Sequence, residues 1–267
     1  MPILCYEITG ESSPNDRSTT GAEDGHIGAV LKGDHQEASA QLYSELAANR
    51  LAMFLGIPVV VGVPARRSSD GGAALRFAAL RAAEGGLDIY DFTDEDRDDA
   101  DNEDNDEGAP DLPDGVYRIT GHVRAMAALC AKYPLEAAAI AVFDLWIGNE
   151  DRALNFKGQI RGPERGVIFA LDQGSSLLSC RETVDLSLFA LSRPYFPSFH
   201  PFQKLLNARY CAAMAERVQS MPDWAIEAAT IYQDTVGNVI LPDQYQCYEV
   251  LRERKAILND LIDRVLF

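Results

Sequence analysis

The first third of the chain alternates short runs of apolar and polar residues, whereas the remainder carries longer apolar stripes at helical spacing. Alternating positions predict short strands at Ile3–Thr9, His26–Lys32, Val59–Pro64 and Ala74–Leu80. Between the second and third of these strands, apolar residues spaced by three and four predict a helix over Glu37–Leu55. We therefore expect the first part of the chain to form a small antiparallel sheet with one helix.

From Gly121 onward the apolar spacing becomes mostly helical. The predicted helices are Val123–Tyr133, Leu135–Ile147, Phe202–Gln219 and Asp243–Phe267. Two strands interrupt them at Phe156–Ile160 and Val167–Leu171, and the turn-rich run RGPERG between these strands predicts a hairpin. The last helix carries a stripe that faces a core rather than a partner-binding heptad. A sheet followed by helices predicts an α+β fold.

Most of the negative charge lies in one segment. The net charge of the 267 residues is −17, yet Asp91 to Asp114 contains thirteen carboxylates against the single Arg97, which is −12 and leaves −5 for everything else. This composition cannot bury enough apolar surface to order itself, so we expect a mobile loop. The predicted organisation is a sheet-containing region at 1–90, an acidic flexible loop at 91–114 and a helical region at 115–267.

Cysteine usage and hydropathy indicate the compartment. The five scattered cysteines form no C-x-x-C pair, which favours a reducing interior. No basic stretch followed by an apolar run opens the chain, and the apolar run near Leu51 is broken by Gly56 and Pro58. The acidic segment disfavours nonspecific binding to nucleic acid or an anionic membrane. We expect a soluble cytoplasmic protein without direct nucleic-acid or membrane contacts.

The candidate chemistry lies around the predicted hairpin. Asp151 and Asn155 follow the apolar run that ends at Gly148-Asn149, and Asp172 comes directly after the second hairpin strand. Phosphoryl transfer needs a group that orients or deprotonates the nucleophile and metal ions that neutralise phosphate charge. Protein kinases supply these from an Asp and an Asn on one loop and a second Asp after a short hairpin. The alternative is that Asp151 caps a turn and Asp172 ends a strand, because both residue types are common turn formers.

Two segments of the sequence resemble a known family. The run IGNEDRALNF followed by IFALDQGSSL resembles the HipA-like kinases and, more distantly, the phosphoinositide kinases. The resemblance implies that Asp151 is the catalytic base and that Asn155 and Asp172 are ligands of Mg²⁺. The run LYSELAANRLAMFLGIPVVVGVP is similar to the family segment that follows the nucleotide-binding lysine. It implies that Lys32 pairs with Glu45 and holds the phosphates of ATP within a bilobal protein-kinase-like fold.

Two departures from the family keep two functions open. The spacing from Asp151 to Asn155 is four residues instead of five, and the polar tract from Gly10 to Asp24 contains no G-x-G-x-x-G, so it is either a phosphate-covering loop or a flexible surface loop. These departures favour a kinase-like nucleotide-binding protein with weak or no catalysis. The joint presence of Lys32, Glu45, Asp151 and Asp172 favours an active kinase, which the resemblance suggests acts on a serine or threonine of a protein substrate. Transfer of AMP from an inverted nucleotide is a third option.

Overall fold

A computed structural model describes residues 4–36, 38–66, 74–85, 87, 89–90, 92, 120–161 and 166–267. The acidic segment at 91–114 lies outside the described residues, apart from Phe92. The side chain of Phe92 is buried and stacks on Phe156 with ring centroids 4.5 Å apart. The prediction of a mobile acidic loop therefore stays a prediction, although the residue at its start is anchored in the core.

The first part of the chain builds two small antiparallel sheets. Strands β1 (Ile8–Pro14) and β2 (Glu23–Ile27) form a hairpin. Strands β3 (Ala29–Lys32), β4 (Gly62–Ala65) and β5 (Arg76–Leu80) form a three-stranded sheet in the order β3-β5-β4. The register pairs Lys32 at the end of β3 with Phe77 of β5. The small antiparallel sheet expected for this part is confirmed.

The polar tract from Gly10 to Asp24 is not the loop that the sequence predicts, because most of it belongs to the exposed β1–β2 hairpin. Side-chain hydrogen bonds cross that hairpin from Ser12 to Glu23 at 2.5 Å and from Asn15 to Asp24 at 3.0 Å. These polar pairs take the place of the apolar alternation on which a strand prediction depends.

The two N-terminal strand predictions also shift. The strand expected at Ile3–Thr9 begins at Ile8, and Tyr6 forms only an isolated bridge to Ala82. The strand expected at His26–Lys32 divides at Gly28 into β2 and β3. The backbone of Gly28 bonds two different neighbours there, donating to the Glu7 carbonyl and accepting from the Arg81 amide.

Helix α1 (Gln41–Leu55) lies between the β3-β5-β4 sheet and the helices of the second part. Eleven of its fifteen residues are buried, so it is a core helix rather than a surface helix. It starts four residues later than the sequence predicts and ends at Gly56, whose left-handed φ of 64° forms the C-cap. The Tyr43 hydroxyl donates to the Thr230 carbonyl at 2.9 Å, which ties α1 to the C-terminal helices.

The second part is helical around one further small sheet. The elements are α2 (Thr120–Lys132), α3 (Pro134–Ile147), α4 (Val184–Leu191), α5 (Ala208–Gln219), α6 (Asp223–Thr230), α7 (Leu241–Val265) and the strands β6 (Ile89–Tyr90), β7 (Phe156–Gln159) and β8 (Ile168–Ala170). The strands pair antiparallel in the order β6-β7-β8, so the hairpin that the sequence predicts is β7–β8. Helix α3 is almost entirely buried and packs on α5 and α7.

Helix bounds differ from the predicted ones at several ends. Helix α5 begins at Ala208 rather than Phe202 because the Asn207 side chain caps it by accepting from the Arg209 amide. Helix α4, which the sequence did not predict, begins after Thr183, whose hydroxyl accepts from the Leu186 amide. In the described part of the chain, no single helix is long and apolar enough to cross a membrane; α2 and α3 reach that length only together, across a 110° bend.

Candidate active site

Lys32, Glu45 and Asp172 meet at the junction of the two parts. The Lys32 Nζ lies 2.5 Å from Glu45 Oε1 and 2.7 Å from Asp172 Oδ2. Lys32 is supplied by the end of β3, Glu45 by the middle of α1 and Asp172 by the residue after Leu171, at the end of the hairpin. Three separate elements thus place one ammonium between two carboxylates.

The loop that begins at Asp172 is held in a defined shape. Asp172 has a φ of +41°, a left-handed conformation that a non-glycine residue adopts only where its surroundings enforce it. Its Oδ1 accepts from the Gly174 amide at 3.1 Å, and the Gln173 amide donates to Glu45 Oε2 at 3.1 Å. One carboxylate of α1 therefore binds both Lys32 and the backbone next to Asp172.

The three charges shift one another's pKa values. Burial raises the pKa of Glu45 to about 7; the Asp172 charge adds to this shift and the Lys32 charge opposes it. Burial by itself would lower the pKa of Lys32, but the two carboxylates outweigh it and raise that pKa. Burial would raise the pKa of Asp172, but Lys32 outweighs it, so that the pKa is lowered and Asp172 stays ionised near neutral pH. An ionised carboxylate is the form that binds a metal cation.

Asp151 lies on the loop after α3. Gly148 ends that helix with a φ of +71°, and the Asp151 amide then donates to Asn149 Oδ1 at 3.0 Å. The Asp151 carboxylate accepts a 3.3 Å hydrogen bond from the hydroxyl of Ser175, on the loop that Asp172 begins. Partial burial raises its pKa, and the neighbouring charge of Asp172 adds to that rise. Asp151 is therefore an exposed carboxylate beside the Asp172 loop, with its proton affinity increased.

The Asn155 side chain turns back toward its own loop. Its Nδ2 donates to the Asp151 carbonyl at 2.7 Å. The amide nitrogen is thereby used, and Oδ1 is the atom left for a cation. The predicted role of Asn155 as a Mg²⁺ ligand depends on this oxygen.

A buried arginine joins the two loops, which the sequence analysis did not single out. Arg152 is fully buried, and its Nη1 donates to the carbonyls of Asn155 and Leu171, each at 2.5 Å. Its Nη2 donates to Gln173 Oε1 at 2.8 Å. The residue after Asp151 thus fixes the backbone on both sides of the candidate site.

The charge of Arg152 is balanced by Asp144, an acidic residue within the otherwise apolar α3. The two side chains form a fork at 2.8 and 2.9 Å, and neither is exposed. Asn149 Nδ2 donates to the same carboxylate at 3.0 Å, and His200 Nε2 lies 3.2 Å from it. The signal in the sequence was a lone Asp inside an apolar helix, because a buried carboxylate requires a partner.

His200 carries its proton on Nε2, because its Nδ1 accepts from the Phe202 amide at 3.1 Å. Burial lowers the pKa of His200, and Asp144 only partly offsets this, so the ring is neutral near pH 7. No feature of the sequence marked His200 as a partner of Asp144.

Arg254 of α7 fixes the end of α3 without any carboxylate in the contacts that it makes. It donates to the carbonyls of Leu145, Trp146 and Phe196 at 2.6, 2.8 and 2.8 Å, and also to that of Leu191. Burial lowers the pKa of this guanidinium to about 10. Through these carbonyls Arg254 joins α7 to the ends of α3 and α4.

A cavity of about 840 Å³ opens beside the three charges. Val30 and Leu171 line it, so the backbone that carries Lys32 and Asp172 borders it directly. The lining also includes residues 82–85, where the chain leaves the first part. Size and a largely apolar lining suit a nucleotide-sized ligand.

The residues at this cavity fit ATP and Mg²⁺. Within the described ranges, no three His, Cys, Asp or Glu residues cluster so as to hold a metal ion by themselves. Mg²⁺ usually keeps several waters and takes only one or two carboxylates together with substrate phosphates. Asp172, with the Asn155 oxygen near Asp151, is a donor set of this kind, and Lys32 supplies the cation for phosphate.

Comparisons with known proteins identify a fold rather than a family. No family model matches the chain, and no curated protein matches it either. The structure is similar to the crystal structure of the Helicobacter pylori proinflammatory kinase CtkA, with a TM-score of 0.57 and 15% sequence identity. The match covers 98% of this chain and 96% of that one. The chain thus has a kinase-like fold, with a sheet-containing N-terminal lobe and a helical C-terminal lobe, as the sequence predicts.

Proposed function

We propose that this protein is an ATP-dependent phosphotransferase that uses Mg²⁺ and acts as a HipA-like serine/threonine protein kinase. The observation that carries the proposal is the position of Lys32 Nζ, 2.5 Å from Glu45 and 2.7 Å from Asp172 at the edge of the 840 Å³ cavity. A kinase needs a lysine for the nucleotide phosphates, a glutamate that orients it and an aspartate for the metal.

In the proposed reaction, Glu45 holds Lys32 so that the ammonium can bind the phosphates of ATP. Asp172, with Asn155, would hold Mg²⁺, which when bound neutralises charge on the phosphates. Asp172 is ionised near pH 7 because Lys32 holds its pKa below the usual range. The hydrogen bond from Gln173 to Glu45 keeps Asp172 in register with Lys32.

Asp151 would accept the proton of the acceptor hydroxyl and aim its oxygen at the γ-phosphate. Three features support this role: its exposure, its raised pKa and its contact with Ser175 on the loop of Asp172. We propose a protein as acceptor, on the resemblance to HipA-like kinases, and a cytoplasmic location.

The second candidate is a kinase-like nucleotide-binding protein with weak or no catalysis. The observation that favours it is the hydrogen bond from Asn155 Nδ2 to the Asp151 carbonyl, within a loop one residue shorter than the kinase pattern. The exposed β1–β2 hairpin also replaces a glycine-rich loop.

One experiment separates these functions. The purified chain is incubated with Mg²⁺ and ATP labelled at either the γ- or the α-phosphate, and products are located by mass spectrometry. Phosphotransfer, or hydrolysis in the absence of an acceptor, releases or transfers only the γ label. Transfer of the α label would indicate AMP transfer. Nucleotide binding with no turnover of either label would reject the kinase in favour of the binding protein.

A further inference from the structure

A second groove, of about 330 Å³, lies on the surface formed by α4 and the segment after it. Three of its lining residues are large apolar side chains left about half exposed, namely Leu186 at 49%, Phe189 at 58% and Tyr195 at 52%. Contiguous exposed apolar surface on a soluble fold indicates an interaction site. This acceptor groove, as we name it, is separate from the nucleotide cavity, whose lining it does not share.

The acceptor groove is connected directly to the candidate catalytic loop. Arg181, which lines the groove, donates to Glu150 Oε2 at 3.0 Å, and the amide of Ser198, also in the lining, donates to Glu150 Oε1 at 3.1 Å. Glu150 immediately precedes Asp151. The guanidinium of Arg181 also lies 4.3 Å from the ring centre of Phe196 on the groove wall. A ligand in this groove would therefore be held one residue away from the proposed base.

The charges of the groove leave one cation to be matched. Arg181 is already paired with Glu150, whereas Arg193 lies flat over Phe189 with its guanidinium carbon 3.9 Å from the ring centre. The Nε of Arg193 is buried without a hydrogen-bond partner among the described residues. A buried donor left unsatisfied is costly, and a carboxylate is the acceptor that suits a guanidinium best. Glu182 is the acidic residue in the lining.

We infer that the acceptor groove docks a segment of the acceptor protein that presents an aromatic side chain next to a carboxylate. The aromatic ring would cover Phe189 and Leu186, and the carboxylate would accept from Arg193. This inference rests on the proposed function, since it names the substrate class of that same site. It assigns to α4 and Arg193 the task of presenting the hydroxyl to Asp151.

The test uses two fluorescein-labelled, capped peptides. One carries a Phe flanked by two Glu residues on each side, and the other has Lys in place of each Glu. Fluorescence anisotropy on the full chain should show the acidic peptide binding at least about tenfold tighter, the scale of one charge-assisted hydrogen bond. Arg193→Glu should remove this preference, whereas Arg209→Glu, an exposed arginine on α5, should keep it.

Phe189→Ala provides a second variant that does not depend on Arg193, and its matched control is Trp224→Ala, another exposed aromatic residue. The first should weaken binding of the acidic peptide severalfold and the second should not. Equal affinity for the two peptides, or equal losses in the paired variants, would overturn the inference. So would a concentration-dependent dimer in sedimentation that Arg193→Glu abolishes, because the groove would then belong to a second copy of the chain.

Calorimetry with Mg·ATP on the parent chain tests the proposed function separately. A parent that binds Mg·ATP but does not distinguish the peptides loses only the groove. A parent that prefers the acidic peptide through Arg193 but binds no Mg·ATP retains the groove as a docking site and loses the proposed phosphotransfer.

Discussion

The amide of Gln173 donates to Glu45 Oε2 at 3.1 Å, while the other oxygen of the same carboxylate binds Lys32. This single side chain sets the distance between β3 and the loop that begins at Asp172. The nucleotide site is in this sense organised before any ligand arrives, which lowers the ordering cost of binding.

We expect Lys32→Met and Asp172→Ala each to weaken Mg·ATP binding by at least tenfold, about 1.4 kcal/mol, because one removes the phosphate contact and the other the metal ligand. Calorimetry measures the affinity, and thermal unfolding shows whether each variant is folded. Arg209→Ala, which removes an exposed cation elsewhere, is the control. Unchanged affinity in both folded variants would remove these residues from the site.

Asp151→Asn should reduce turnover by about 10²–10⁴-fold while retaining Mg·ATP affinity, because the amide keeps the size of the carboxylate but cannot accept a proton. The readout is release or transfer of the γ-phosphate under single-turnover conditions. Asp263→Asn, an exposed position on α7, should leave the rate unchanged. A variant at Asp151 that reacts as fast as the parent would make this residue a turn former only.

Arg152→Met should destabilise the fold by about 3–5 kcal/mol, because it leaves the carboxylate of Asp144 buried without its charged partner. Adding Asp144→Asn should restore part of that loss by removing the buried charge. Urea denaturation followed by circular dichroism measures both. The exposed pair of Arg252 with Asp223 gives the control, since Arg252→Met should change stability little. A double variant no more stable than the single one would contradict the interpretation.

The pH dependence of stability should carry the signature of Glu45. Burial raises its pKa from 4.5 to about 7, so the folded state favours the protonated form. Its contribution to the free energy of unfolding is therefore fully present below pH 4.5 and is lost as pH rises through 7, by at most about 3 kcal/mol. Glu45→Gln removes this titration, so the stability of the parent relative to this variant should fall between pH 5 and 8.

The other two members of the triad do not titrate in that window. The lowered pKa of Asp172 gives stability that is present above pH 3.8 and lost only on further acidification. The raised pKa of Lys32 gives stability that is complete below pH 10.5. A flat difference between parent and Glu45→Gln from pH 5 to 8 would show that Glu45 stays ionised throughout.

Sequence reasoning went furthest where a residue type has few other uses in its position. Asp172 after a hairpin and Lys32 at a strand end were selected before the structure, and the structure brings them to 2.7 Å. Their roles in nucleotide and metal binding stay predictions. The two-part α+β organisation followed from periodicity alone, because strand and helix spacings differ clearly.

The missed features depend on contacts between residues far apart in sequence. His200 meets Asp144 across 56 positions, and Arg254 meets Trp146 across 108. Nothing local distinguishes such a histidine or arginine from an exposed one. The β1–β2 hairpin was missed for another reason: its strands are exposed along their whole length, so they carry no buried face for the pattern to record.

The burial of α1 has a mechanical consequence. Asp34 accepts from the amides of Leu42 in α1 and Asn238 in the C-terminal lobe, at 2.8 and 2.9 Å, and Tyr43 adds its bond to Thr230. The helix that carries Glu45 is therefore bolted to the larger lobe. If the cleft opens and closes, the strands and the β1–β2 hairpin swing while α1 stays with the base. A regulator that acted by pulling this helix outward would have to break open the core, so we expect on–off control to act on access to the cleft.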